Sequence, residues 1–211
     1  MMAFAPGRTH AERGTPHALI PEMRDGITRW RGATEVTSSA PIDERSAAVI
    51  AGIETINPRW VLHLPSSTLK TIVGHFLARD GRDGFRCVPI PREEEGIGIL
   101  SGLALTGTSA LMIIQDNGIG NLLTALNTFP APYHLPLLLV VARRGGLGEY
   151  NSMIHHISER SEAILDAAQV RWFQLDGQTP IERWAETIVR ANTFAQTTHR
   201  PIFVLVNLMD G

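Results

Sequence analysis

Cysteine is nearly absent. Cys87 is the only one in 211 residues, so a disulfide framework is excluded, and a reducing compartment, the cytoplasm, is the expected setting. It lies in an apolar stretch and reads as a buried bystander rather than a catalytic thiol. Long hydrophobic runs are also missing: the longest, Leu135 to Ala142, contains Pro136 and falls well short of the roughly 18 residues a membrane span needs. The arginine-bearing N-terminus has acids interleaved and no apolar core, so neither a secretory signal nor a transit peptide is expected. Charge of one sign is not in excess, 19 basic against 21 acidic residues for a formal net charge of -2, which leaves no footprint for nucleic acid or an anionic membrane. Small molecules and other proteins remain as partners.

Several catalytic signatures are absent too. There is no Walker-type GxxxxGK[ST] and no Gly-x-Ser-x-Gly, and Gly118-Ile119-Gly120 fails the GxGxxG spacing because Leu123 stands in the last position. A dinucleotide site, a P-loop and a serine hydrolase are thereby disfavoured.

What is present is an alternation of short apolar runs with helical patterns. Residues 1–40 have apolar residues too widely spaced for a core and read as an arm, disordered or docked on a partner, with Ile20, Met23, Ile27 and Trp30 forming one stripe of a short helix. From residue 41 to 211 a single domain is expected. A helix led by Ser39-Ala40-Pro41 ends at Asn57-Pro58. Strands follow at 60–64, 85–90, 110–114, 137–142, 170–175 and 202–206, with helices at 68–78, from Glu93, 121–128, 159–168 and 180–196. Alternation of this kind predicts an α/β fold, a doubly wound, mostly parallel sheet with helices on both faces.

Ligands of such sheets bind at the carboxyl ends of the strands. Pro65-Ser66-Ser67, Arg92 to Gly98 and Gln115 to Asn121 all fall there, and a fourth loop, Arg143 to His156, is long enough for a lid or a partner contact. The run Glu93-Glu94-Glu95 suits the positive end of a helix, or turns one carboxyl inward among Ile97, Leu100 and Leu103 to exchange a proton with a ligand. Gly118-Ile119-Gly120-Asn121 offers backbone N–H groups or the Asn121 amide to a ligand, or simply lets helix and strand pack closely. His155-His156 beside Glu149 lack a third ligand at metal-binding spacing and read as a polar loop. His63 is a core or rim residue next to the proposed site. The Arg143-Arg144 pair either holds an anion or faces solvent.

Three segments carry a resemblance. Leu64-Pro65-Ser66-Ser67-Thr68-Leu69-Lys70, Arg92-Glu93-Glu94-Glu95-Gly96-Ile97-Gly98-Ile99 and Gln115-Asp116-Asn117-Gly118-Ile119-Gly120-Asn121 resemble the Pro-x-x-x-Leu-Lys loop, the glutamate motif and the Gln-Asn-Ser-Gly-x-Gly-Asn turn of the pyrimidine-binding domain of thiamine diphosphate enzymes. The sulfopyruvate and phosphonopyruvate decarboxylases are the most similar members. In that family a buried glutamate hydrogen-bonds the cofactor's pyrimidine and so activates it toward the keto carbon of a 2-oxo acid. The acid precedes a Gly-Tyr-Ala-like element by nine positions, and Gly102-Leu103-Ala104 begins nine after Glu93, which selects Glu93, with Glu94 next in line.

The resemblance implies that Pro65, Ser66, Gly118, Gly120 and Asn121 line the cofactor, and that His63, Lys70 and Arg143 face an anionic substrate. It also implies a missing half, because the family binds diphosphate and Mg²⁺ through Gly-Asp-Gly and a later Asn pair, and this chain has neither. A beta-type partner subunit would supply them. A carboligase of the acetolactate synthase kind and a non-catalytic assembly module are the alternative expectations. The pattern is broken at Asp116-Asn117, where Asn-Ser is usual, and at Arg143-Arg144, where His-Arg is usual.

Overall fold

The computed structural model describes residues 43–146 and 149–209; the expected N-terminal arm lies outside the described residues. Helix α1, Glu44–Ile56, is capped by Asp43, whose side chain accepts from the Ser46 N–H at 2.8 Å. The cap is thus Asp43, directly ahead of the helix, and its carboxylate satisfies one of the N–H groups the first turn leaves orphaned. The helix ends at Asn57, in the left-handed conformation with φ 51°.

The rest alternates as the apolar runs predict: β1 Trp60–His63, α2 Lys70–Leu77, β2 Arg86–Pro89, α3 Glu93–Leu105 and β3 Ala110–Gln115. A single 3₁₀ turn, Asp116–Gly118, then runs directly into α4, Ile119–Thr128. After β4, Leu138–Ala142, come α5 Ser152–Ser158 and α6 Ser161–Ala167, and then β5 Arg171–Leu175, α7 Trp184–Thr198 and β6 Ile202–Val206. Two expectations are corrected. Helix α4 starts before Asn121, because the turn at 116–118 already has helical curvature. The segment expected as a long loop up to His156 contains α5, which Asn151 caps by accepting from the Met153 N–H at 3.1 Å.

All six strands are parallel, in the order β2-β1-β3-β4-β6-β5. β4 and β6 are fully buried runs, as two-sided coverage demands. Alternate side chains split the core into two layers. Val61, Ile113, Val140 and Val204 pack under α1, α2 and α7, while Leu62, Met112, Ile114 and Val141 pack under α3, α4 and α6. The chain leaves β1 in one direction to reach β2 and returns past it to β3. The crevice at the carboxyl ends of β1 and β3 is thus the switch point where such sheets bind ligands.

Candidate active site

Helix α3 brings its glutamates to the edge of that crevice. A Cβ on Gly96 would strike the Ile90 and Met112 side chains, so this glycine is what lets the first turn of α3 press against the sheet. Helical periodicity then places Glu93 on the same face as buried Ile97 and Leu100 and rotates its neighbours outward. Glu93 is only 5% exposed, whereas Glu94 pairs with Arg92 and Glu95 faces solvent. The Glu93 carboxylate lies over Gly118, and its Oε2 accepts from the Asn121 Nδ2 at 2.9 Å. Its Oε1 accepts no hydrogen bond from the described residues.

On the other side of the crevice Gln115, at the end of β3, donates to the Ser66 Oγ and, at 3.0 Å, to the Thr68 Oγ1. This side chain ties the loop after β1 to the loop after β3. Gln115 and Thr68 were not singled out from the sequence, although both stand inside the recognised segments. His63 is 3% exposed, its ring nitrogens have no hydrogen-bond partner among the described residues, and burial lowers its pKa, which favours the neutral ring. Leaving such a group unpaired costs on the order of 1–3 kcal/mol.

Glu93, Gly118 and Asn121 therefore meet, as do Ser66 and Gln115. Three further candidates are exposed. Pro65 is exposed in its loop, Lys70 is the exposed first residue of α2 with no ion-pair partner among the described residues, and Gly120 lies in the first turn of α4 with open space where a Cβ would be. Cys87 is inert, its thiol pushed up to about 12 by burial and by Asp80.

Arg143 is engaged within the chain. Its guanidinium forks onto Glu162 at 2.7 and 3.2 Å and reaches the Asp116 Oδ2 at 3.3 Å. Asp116 is fully buried, and accepts also from the Arg144 N–H at 2.9 Å and from the Ser158 and Ser161 hydroxyls at 2.8 and 3.4 Å. Burial raises its pKa and these hydrogen bonds oppose the rise. Arg144 turns the other way, its Nη2 donating to Glu149 Oε1 at 2.8 Å, and Glu149 accepts from the Asn151 N–H at 2.9 Å. His155 bonds the Glu149 carbonyl oxygen at 3.2 Å; among the described residues no His, Cys, Asp and Glu cluster could hold a metal ion.

The Arg144 guanidinium holds the Glu149 carboxyl down to about 2, from an ordinary 4.5. A carboxyl depressed by folding stabilises the fold above its unfolded pKa, and that contribution is lost as pH falls from about 4.5 through about 2. Urea titrations of the full chain should therefore show stability declining across that interval. Glu149→Gln is expected to lower stability by about 2 kcal/mol at pH 7 and to flatten the acid limb. An unchanged acid limb in the variant would show that the pair is not coupled to folding.

No protein-family model matches the chain. It is 27% identical over 164 residues to the sulfopyruvate decarboxylase subunit alpha of Methanococcus maripaludis, an alignment covering 78% of this chain and 95% of that one. This chain is similar to the alpha subunits of sulfopyruvate decarboxylase. A phosphonopyruvate decarboxylase from Streptomyces viridochromogenes is 24% identical over 128 residues, which is 60% of this chain but only 32% of that enzyme. Among solved structures, the thiamine diphosphate-dependent 4-hydroxybenzoylformate decarboxylase of Rhodococcus jostii RHA1 superposes with a TM-score of 0.57 at 18% identity, covering 78% of this chain and 30% of that one. The similarity to the Methanococcus maripaludis subunit thus extends over nearly its whole length. The larger enzyme shares its fold with this chain over less than a third of itself.

Proposed function

We propose that the chain is the pyrimidine-binding subunit of a thiamine diphosphate-dependent decarboxylase acting on sulfopyruvate or a similar anionic three-carbon 2-oxo acid in the cytoplasm, with its site completed by a beta-type partner. The observation that carries this reading is the Glu93 carboxylate, buried at the switch point with one oxygen held by Asn121 and the other open over Gly118. A carboxyl is costly to bury without a partner, and this one presents an acceptor where a ring nitrogen fits. Bound thiamine diphosphate would supply the carbon nucleophile and the electron sink that loss of carbon dioxide requires.

The chain's own residues then have separate tasks. Glu93 would hydrogen-bond the pyrimidine nitrogen of the bound cofactor, and Asn121 fixes the orientation of its carboxylate. Ser66, held by Gln115, and Pro65 form the opposing rim, with Gly118 and Gly120 keeping the floor clear. His63, at the end of β1, would offer a ring nitrogen to the bound ligand. Lys70, unlike Arg143, has no ion-pair partner among the described residues and would meet the substrate's anionic end. Mg²⁺ and the diphosphate fall to the partner, since this chain has no Gly-Asp-Gly element.

Calorimetry with thiamine diphosphate and Mg²⁺, on the full chain alone and on its complex with the partner, followed by carbon dioxide release from sulfopyruvate, tests the proposal. Binding and turnover are expected only in the complex. Absence of cofactor binding in the complex would overturn the reading and leave an assembly module.

A further inference from the structure

Asp116 and Arg143 stand at the two places where the loops break the family pattern, and they touch each other, Nη1 to Oδ2 at 3.3 Å. Neither departure makes sense singly. A carboxylate at a fully buried position needs a countercharge, and a guanidinium brought to the end of β4 needs acceptors. Together with Glu162 they form an acid–base–acid chain running from the end of β3, through the residue after β4, to α6.

The remaining acceptor capacity of Asp116 is filled from three further places: the main chain at Arg144, the end of α5 at Ser158 and the start of α6 at Ser161. Two residues beyond Asp116, Gly118 lies so close to Glu93 that a Cβ there would strike its carboxyl group. Where Asp116 is held therefore fixes where Gly118 lies, and Gly118 bounds the position of the Glu93 carboxylate. We propose that Asp116 is a positioning residue, paired with Arg143 in a buried latch that fastens the turn beneath Glu93 to α5 and α6.

A consequence concerns specificity. Arg143 is taken out of substrate recognition, since an anion could reach its fork only by displacing Glu162 or Asp116. The catalytic part of this inference rests on the decarboxylase reading given above; the latch itself does not.

The test compares Asp116→Asn, Arg143→Gln and the double variant with the wild type. In the full chain, amide hydrogen exchange at Asn117, Gly118 and Ile119 is expected to speed up about tenfold in each single variant, and the double variant to exchange no faster than the faster single. In the complex with the partner, kcat for the 2-oxo acid should fall about tenfold in both singles with KM within about twofold. Should a charge variant fail to fold, Ser158→Ala removes one neutral donor and should give about a threefold acceleration at the same amides. Additive exchange effects, or unchanged exchange, would overturn the latch. So would a KM about tenfold higher with kcat unchanged in Arg143→Gln, which would make Arg143 a substrate ligand. Coupled exchange effects in a complex whose wild type releases no carbon dioxide would uphold the latch and overturn the decarboxylase reading instead.

Discussion

Glu93→Gln is expected to lower carbon dioxide release by about 1,000-fold while leaving the chain folded and able to join its partner. The substitution keeps the shape of the side chain and, in one amide orientation, keeps an oxygen for the Asn121 Nδ2 that now donates to Oε2 at 2.9 Å. What it removes is the ability to hold and return a proton at the open oxygen over Gly118. Packing should therefore change little, and stability should stay within about 1 kcal/mol of the wild type. Cofactor affinity should fall far less than turnover, because in the proposed assembly the diphosphate is held outside this chain. Glu94→Gln is the matched control: one residue on, its carboxylate pairs with Arg92 at the surface, and turnover should stay within about twofold. Glutamine at 93 with turnover within threefold of wild type would remove this residue from the chemistry.

The contrast between these neighbours shows what the sequence could and could not convey. Three consecutive glutamates at a helix start are equivalent by composition. Only the resemblance, through the nine-residue spacing to Gly102-Leu103-Ala104, singles out Glu93 in the sequence; in the fold, the close seat provided by Gly96 places it on the buried face with Ile97. The strand and helix alternation was readable because apolar runs such as Leu138 to Ala142, only five residues long and bounded by turn residues, are too short for a buried helix.

Helix α5 was not readable. It is seven residues long, buries only Ile154 and Ser158, and carries two histidines that look like loop polarity. The role of Arg143 was hidden for a different reason. Its partners, Asp116 and Glu162, are 27 and 19 residues away, and no local pattern reports a contact made through tertiary packing. Gln115 had the same difficulty, since Ser66 and Thr68 are 49 and 47 residues distant.

Gly118→Ala should lower turnover by about 100-fold without unfolding the chain. The backbone there does not require glycine: φ is -84° and ψ is -7°, a conformation alanine adopts freely. Its lack of a side chain matters only for space. An added Cβ would lie 2.6 Å from the Glu93 Cγ and nearer still to the carboxyl group. Something must shift, and the far end of a flexible side chain moves more cheaply than the backbone of a turn anchored by Asp116. The displaced carboxylate would lose Asn121 and its alignment with the cofactor. Gly74→Ala provides the comparison, since a Cβ in the middle of α2 meets nothing within 4 Å; it should add about 0.5–1 kcal/mol of stability and leave turnover unchanged. Carbon dioxide release and urea midpoints measured on both variants separate a site effect from a folding effect. If Gly118→Ala were folded and turned over within threefold of wild type, the Glu93 carboxylate could not be working from above residue 118, and the site would have to be rebuilt around another acid.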